Sequence, residues 1–261
     1  MKLGISSACY FTKKMNEDAL ARIKEQGVDC VELFFASRCE YVAPYFDAIA
    51  ASAKGLEVWS IHAMTTQFEP ELFSSHPRAR QDAMKDFDAV LKAGQALGAK
   101  HYTFHGLLRL KRKPYVFNYD AIGARFCEMT EQARSHGITI CYENVHYGFN
   151  STPDFFAEIK KRCPDLGATF DIKQAMQAGI DCREFLKTLA PSLRTVHVCD
   201  VRSDGSTCLP GRGDVNFRSL FSLLRDYGFE GRVMLEAYPN DYEDDRELYD
   251  SFAFLQSEMS G

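Results

Sequence analysis

The sequence predicts an α/β fold, a (β/α)8 TIM barrel forming a single domain over residues 1–261, and three observations carry that expectation. Short β-type runs alternate with longer helical patterns from end to end, which implies parallel strands returned by right-handed crossovers. Eight such runs are present, and six carry an acidic or imidazole side chain at or beside the C-terminal end: His62, His105, Glu143, Asp171, His197 and Glu236. The 261 residues, 46% of them hydrophobic, suffice for one large core. A doubly wound open sheet also accommodates eight strands, but it gathers its polar ends near one switch point, whereas here they recur on nearly every strand.

Taken in order, the first strand is Lys2–Ser6, and the segment from Asp18 to Gly27 has apolar residues at helical spacing with glycine as its stop. Strands Cys30–Phe34 and Val58–His62 follow, then a long helical segment, Pro77–Gly98, and strand Lys100–His105. Helical spacing over Tyr119–Gly137 leads into Ile138–Glu143, and further strands are expected at Leu166–Asp171 and Leu193–Cys199. Helix Phe217–Gly228, strand Val233–Ala237 and helix Glu243–Met259 complete the pattern. Side chains alternate across a strand, so Ser60 and His62, Thr103 and His105, Cys141 and Glu143, Thr169 and Asp171, Thr195 and His197, and Met234 and Glu236 should face the barrel axis. Trp59, Phe104, Tyr142, Phe170 and Val196 then face the helices. No linker or low-complexity segment interrupts the chain.

Composition narrows the function. A formal charge of −5 argues against a protein that binds nucleic acid through bulk electrostatics. The segment Leu107–Lys113 is locally basic, with Arg109, Lys111, Arg112 and Lys113, and reads as a solvated loop. No apolar stretch approaches the ~20 residues of a membrane span, and Met1-Lys2-Leu3-Gly4-Ile5 enters a strand without a signal peptide. Nine cysteines with no close C-x-x-C pair suggest buried thiols in a reducing cytoplasm, with Cys9, Cys30, Cys141 and Cys199 filling space in or beside strands.

A carboxylate closing an apolar strand, as in Tyr142-Glu143-Asn144-Val145, is costly to bury without compensation. Singly, each strand-end residue has a structural reading: a salt bridge for Glu143 or Asp171, a satisfied core histidine for His197. One metal explains Glu143, Asp171, His197 and Glu236 together more economically than four separate partners do. Two Glu, one Asp and one to three His are a ligand set for a borderline-to-hard divalent cation. Side chains that close parallel strands point into the crevice where such folds place their chemistry. Glu32 in Val31-Glu32-Leu33 either hydrogen-bonds a substrate or pairs within the barrel. Lys173 reads by default as a surface lysine at a helix start, the alternative being an ammonium in the pocket that stabilises an oxyanion.

The order and setting of these residues resemble the xylose isomerase-like (β/α)8 superfamily over almost the whole chain. That group holds sugar isomerases, ketose 3-epimerases, inosose-type dehydratases and isomerases, and the endonuclease IV class of DNA repair enzymes. The resemblance implies that Glu143, Asp171, His197 and Glu236 hold a divalent metal (Mn, Mg, Co or Zn). It implies that Glu143 and Glu236 also exchange a substrate proton by way of an enediolate, while Asp171 and His197 mainly hold the ion. Gly211-Arg212-Gly213-Asp214 is similar to the family's Gly-x-Gly segment, in which the Arg meets substrate oxygens; an exposed Gly-rich turn is the alternative. His62 and His105 match histidines of the endonuclease branch, which implies either a second metal or contact with a substrate hydroxyl, with Zn favoured if both bind.

The chain departs from that branch at Gln174, where it expects a His, and in the segment from Ser206 to Arg212, where it expects an Asp-x-His pair, so a three-metal cluster is not expected. Ketose epimerases often carry a His at the position of Gln174 as well. The expected activity is isomerisation or epimerisation of a small sugar, sugar phosphate or polyol ketone. The alternatives are an endonuclease IV-like phosphodiesterase acting on abasic DNA, an inosose-type dehydratase, and a non-catalytic sugar-binding module, the last at odds with an intact ligand set. A small-molecule partner, no nucleic acid and no membrane are expected, and the resemblance adds a homo-oligomer.

Overall fold

Eight parallel strands close into a barrel in the computed structural model, which describes residues 1–109 and 116–261. They are β1 (Lys2–Ser6), β2 (Cys30–Phe35), β3 (Glu57–Ala63), β4 (His101–Phe104), β5 (Thr139–Glu143), β6 (Gly167–Asp171), β7 (Leu193–Val198) and β8 (Arg232–Leu235). Sequential strands are neighbours throughout, and β1 pairs with β8 to complete the ring. The eight expected strands are all present, with ends displaced by one or two residues. His105 and Glu236 fall just beyond the ends of β4 and β8 rather than inside them.

The expected helices form as α1 (Asn16–Glu25), α3 (Pro77–Ala96), α4 (Tyr119–Ser135), α8 (Phe217–Asp226) and α9 (Asp245–Ser260). Gly27 and Gly137 supply the left-handed stops after α1 and α4, at φ 76° and 74°. Four further helices, α2 (Tyr45–Ala53), α5 (Pro153–Arg162), α6 (Ile172–Gln177) and α7 (Cys182–Leu189), fill the remaining crossovers. A two-stranded hairpin, Asp200–Val201 with Thr207–Cys208, follows β7.

The strand faces divide as alternation predicts, with one correction. Phe104 and Tyr142 pack outward on Phe126 of α4 at ring separations of 5.9 and 4.7 Å, and Phe170 meets Phe185 of α7 at 5.8 Å. Trp59 does not join them. Register between β2 and β3 slips at this point, Val31 pairing with Val58 and Glu32 with Ser60, so Trp59 sits on a bulge. Its indole N–H donates to Thr195 Oγ1 across the barrel at 3.1 Å, its ring lies 4.4 Å from His101, and Arg232 covers it at 4.5 Å. Trp59 therefore plugs the N-terminal end of the barrel, opposite the strand ends that carry the acidic residues.

The nine cysteines are free, and Cys9, Cys30, Cys141 and Cys199 are buried as expected. Among the described residues no helix is long and apolar enough to cross a membrane. Of the basic segment, Lys111, Arg112 and Lys113 lie outside the described residues, and Arg109 is exposed.

Candidate active site

The C-terminal mouth of the barrel gathers buried Glu143, Asp171 and His197 with partly exposed Glu236 into one group. One ligand atom from each lies within 4.8 Å of all the others. Strand register explains the convergence, because Asp171 pairs level with His197, and Glu143 and Glu236 close the strands on either side of that pair. His62 and His105 join the same crevice, with Nε2 atoms 3.1 Å apart, and His105 Nε2 lies 2.8 Å from Glu143 Oε2. All six strand-end residues read from the sequence thus meet at one mouth.

The imidazole of His197 is held from below. Its Nε2 lies 3.1 and 3.2 Å from the two Glu32 oxygens, and since a carboxylate only accepts, Nε2–H donates. Nδ1 then faces upward, 3.3 Å from Glu236 Oε2 and 3.5 Å from Glu143 Oε1, without hydrogen-bond geometry to either. Burial alone would push this imidazole down, but Glu236, Glu32 and Glu143 outweigh it and hold His197 well above the usual histidine value. Burial also acts against the charged forms of Glu143 and Glu32, yet the neighbouring histidines hold both carboxyls well below their ordinary range. Asp171 moves the other way, burial pushing its carboxyl up against the pull of Lys173.

These atoms fit a cation. Asp171 Oδ2, His197 Nδ1 and His62 Nδ1 are buried without a hydrogen-bond partner, which native interiors rarely tolerate. Among the described residues the Glu236 carboxylate likewise accepts no hydrogen bond from a side chain or from the backbone. An imidazole nitrogen aimed at two carboxylates, beside a third with a bare oxygen, is a donor set for a divalent ion.

The other candidate residues divide. Glu32 is fully buried beneath the group and accepts from Ser6, Ser60 and Thr103 hydroxyls at 3.2, 2.8 and 2.7 Å as well as from His197. Its oxygens are committed within the barrel, which corrects the substrate-contact alternative. Lys173 is not the surface residue of the default reading: it is buried, with Nζ 3.4 Å from Asp171 Oδ2 and 3.6 Å from Glu236 Oε2. Arg212 is exposed and pairs with Glu247, in the first turn of α9, at 2.5 Å rather than with a residue of the ligand group. Gln174 turns its side chain to His146, accepting from the backbone N–H at 3.1 Å and lying 2.6 Å from Nδ1.

Sequence reasoning missed the residues that hold the site in shape. Asp200 explains the Gly-x-Gly segment: its buried carboxylate accepts backbone N–H groups of Gly211, Gly213, Val215 and Val201 at 2.9–3.0 Å. A Cβ on Gly213 would stand 2.5 Å from Asp200 Oδ1, so only glycine fits there. Asn144 exchanges hydrogen bonds with the backbone of Asp171 at 2.9 and 2.7 Å, tying the ends of β5 and β6. Glu69 accepts from the N–H groups of His105 and Gly106, both at 2.9 Å, fixing the turn after β4. Asn144 directly follows Glu143 and Asp200 lies three residues after His197, and that nearness to a strand end was the available signal; Glu69 had none. Aromatic rings edge the mouth, with Phe34 5.1 Å from His62, and Tyr147 OH 3.3 Å from His105 Nδ1.

Comparison with known proteins agrees with this architecture. A family model described as xylose isomerase-like TIM barrel matches residues 20–258. An uncharacterised protein of Methanocaldococcus jannaschii is 25% identical over 255 residues, covering 95% of this chain and 90% of that protein. A D-tagatose 3-epimerase-like protein superposes with a TM-score of 0.79 at 21% identity, over 100% of this chain and 97% of that one. The IolI protein, whose structure holds a zinc atom, superposes at 0.83 with 16% identity over 99% of both chains. At these identities the superpositions establish the shared fold.

Proposed function

The chain belongs to the xylose isomerase-like TIM barrel family, and on that premise we propose that it is a metal-dependent isomerase or epimerase of a small sugar, sugar phosphate or polyol ketone. The observation that carries this reading is the pair Glu143 and Glu236, whose carboxylates approach His197 Nδ1 at 3.5 and 3.3 Å. Glu143, Asp171, His197 and Glu236 would hold one divalent ion, Mn, Mg, Co or Zn. When bound, that ion supplies Lewis-acid stabilisation to an oxygen beside the reacting carbon.

The chain's own residues supply the proton chemistry. One of Glu143 and Glu236 takes the proton from carbon next to the substrate carbonyl, and the other returns a proton to the opposite face. Asp171 and His197 remain as ligands, His197 steadied by the Nε2–H to Glu32 contact. His62, whose Nδ1 has no hydrogen-bond partner, orients a substrate hydroxyl, while His105, joined to Thr65 and Tyr147 through Nδ1 and to Glu143 through Nε2, steadies the His62 ring. Should His62 and His105 recruit a second ion instead, Zn is the favoured metal and phosphodiester cleavage becomes the competing reading.

Elemental analysis of protein purified without chelator or nickel affinity is the first test, followed by NMR of ketoses and inososes incubated with the enzyme in D2O. One metal per chain, with deuterium entering beside the carbonyl and an isomer accumulating, supports the proposal. Loss of water after exchange would make it a dehydratase, and two metals with cleavage of abasic DNA a phosphodiesterase. Absence of both metal and exchange would overturn it.

A further inference from the structure

Among the described residues, Lys173 is a cation of the crevice that neither the fold nor the proposed proton exchange explains. It stands two residues after Asp171, at the first turn of α6, where an exposed ammonium is the ordinary outcome. Here the side chain is 3% exposed and lies inside the mouth. Its Nζ is 3.4 Å from Asp171 Oδ2, 3.6 Å from Glu236 Oε2 and 4.3 Å from the centre of the Tyr238 ring. Asp171 Oδ2 has no hydrogen bond, so the two groups attract as charges without the directed bond an ammonium normally makes. A buried ammonium keeps its place only when charge and geometry offset lost hydration, and two carboxylates with a ring face supply that offset.

Charge counting sharpens its meaning. Three carboxylates stand in the four-residue ligand group, Glu143, Asp171 and Glu236, carrying three negative charges. A divalent ion and the Lys173 ammonium together carry three positive ones. With both present the group is neutral, and a proton passing from substrate carbon to one of these carboxylates moves one negative charge onto the substrate oxygen without changing the total. Without Lys173 the group would stay net negative, and the substrate oxygen would take up its charge beside it with no neighbouring ammonium, in a crevice where screening is weak.

Resting on the metal-dependent reading above, we propose that Lys173 is a working member of the site: an internal cation that shares the Asp171 and Glu236 carboxylates with the metal and donates to the substrate oxygen on which negative charge develops. Two consequences have opposite signs. Lys173 repels the metal, so removing its charge should tighten metal binding. It attracts the anionic form of the substrate, so the same change should weaken binding of an anionic mimic. A residue that only supported the fold would weaken both.

The test is calorimetric titration of Mn2+ into wild-type protein, K173M, K173Q and K173R, followed by titration of a small hydroxyalkyl hydroxamate into each Mn2+-loaded protein. K173M should bind Mn2+ at least tenfold more tightly and the hydroxamate at least tenfold more weakly, with K173R within about threefold of wild type in both. K173Q keeps a polar side chain of similar length and replaces K173M should the apolar variant not fold. Unchanged or weaker Mn2+ binding in the uncharged variants, or unchanged hydroxamate binding, overturns the role of Lys173 while leaving the metal site standing. Absence of Mn2+ binding in every protein, wild type included, overturns the metal reading and this one with it.

Discussion

Glu32 and His197 form the vertical axis of the crevice: a carboxylate buried in the barrel 3.1 Å below one ring nitrogen, with the other nitrogen presented to Glu236 and Glu143 above. That arrangement fixes both the tilt and the tautomer of the imidazole, and it makes Glu32 act through His197 rather than on substrate.

Glu32→Gln should therefore impair metal binding without removing a ligand. Gln keeps the length but offers only one acceptor oxygen where Glu32 serves three hydroxyls and His197. Metal affinity is expected to fall roughly 10–100-fold, the usual cost of losing an outer-sphere carboxylate. Competition against a fluorescent chelator measures it, and unchanged affinity would mean that His197 is oriented by something else.

Glu236→Gln removes one proposed proton carrier and should lower turnover by roughly 10²–10⁴-fold or more. Near-normal turnover would end the two-carboxylate assignment. Following deuterium exchange beside the carbonyl separately from net isomerisation shows which of Glu143 and Glu236 starts the reaction, since loss of the returning group alone leaves exchange intact.

Asp200→Asn and Arg212→Ala should behave oppositely although they share one turn. Asn loses the charge that four backbone N–H groups converge on, at a cost of roughly 2–4 kcal/mol in urea unfolding. Arg212 is 43% exposed and, among the described residues, its side chain bonds to Glu247 alone, so its loss should change stability by less than about 0.5 kcal/mol and KM little. A large rise in KM for Arg212→Ala would show that the side chain swings into the crevice on binding.

His101 is a source of acid sensitivity outside the site. Burial, with the positive charges of Arg194, Arg232 and Lys100, pushes the His101 imidazole down from 6.5 to about 4. The folded protein therefore resists a proton that the unfolded chain accepts, so this contribution is complete above pH 6.5 and is lost as pH falls from 6.5 towards 4. The gap is worth about 3 kcal/mol. Urea unfolding of wild type and His101→Gln at pH 7 and pH 4.5 should show a smaller drop in the variant; equal drops would assign acid sensitivity elsewhere.

Much of this molecule is legible before folding. Strands of period two, six of them with an acidic or imidazole side chain at or beside the C-terminal end, determine both the barrel and the meeting of Glu143, Asp171, His197 and Glu236, because parallel strands in register bring their ends to one rim. What the pattern leaves open is where side chains beyond the strand ends turn. Lys173 and Arg212 have the same charge and both sit in βα segments, yet one is drawn to Asp171 and Glu236 while the other is drawn to Glu247, a residue of α9. Trp59 obeys alternation until a bulge against β2 redirects it into the barrel. Periodicity is a property of neighbouring residues, so the sequence by itself determines which faces are buried. The partners that orient Lys173, Arg212, Trp59 and Glu32 lie tens to more than a hundred residues away for all but Asp171, and only the closed tertiary structure sets which of them each side chain meets.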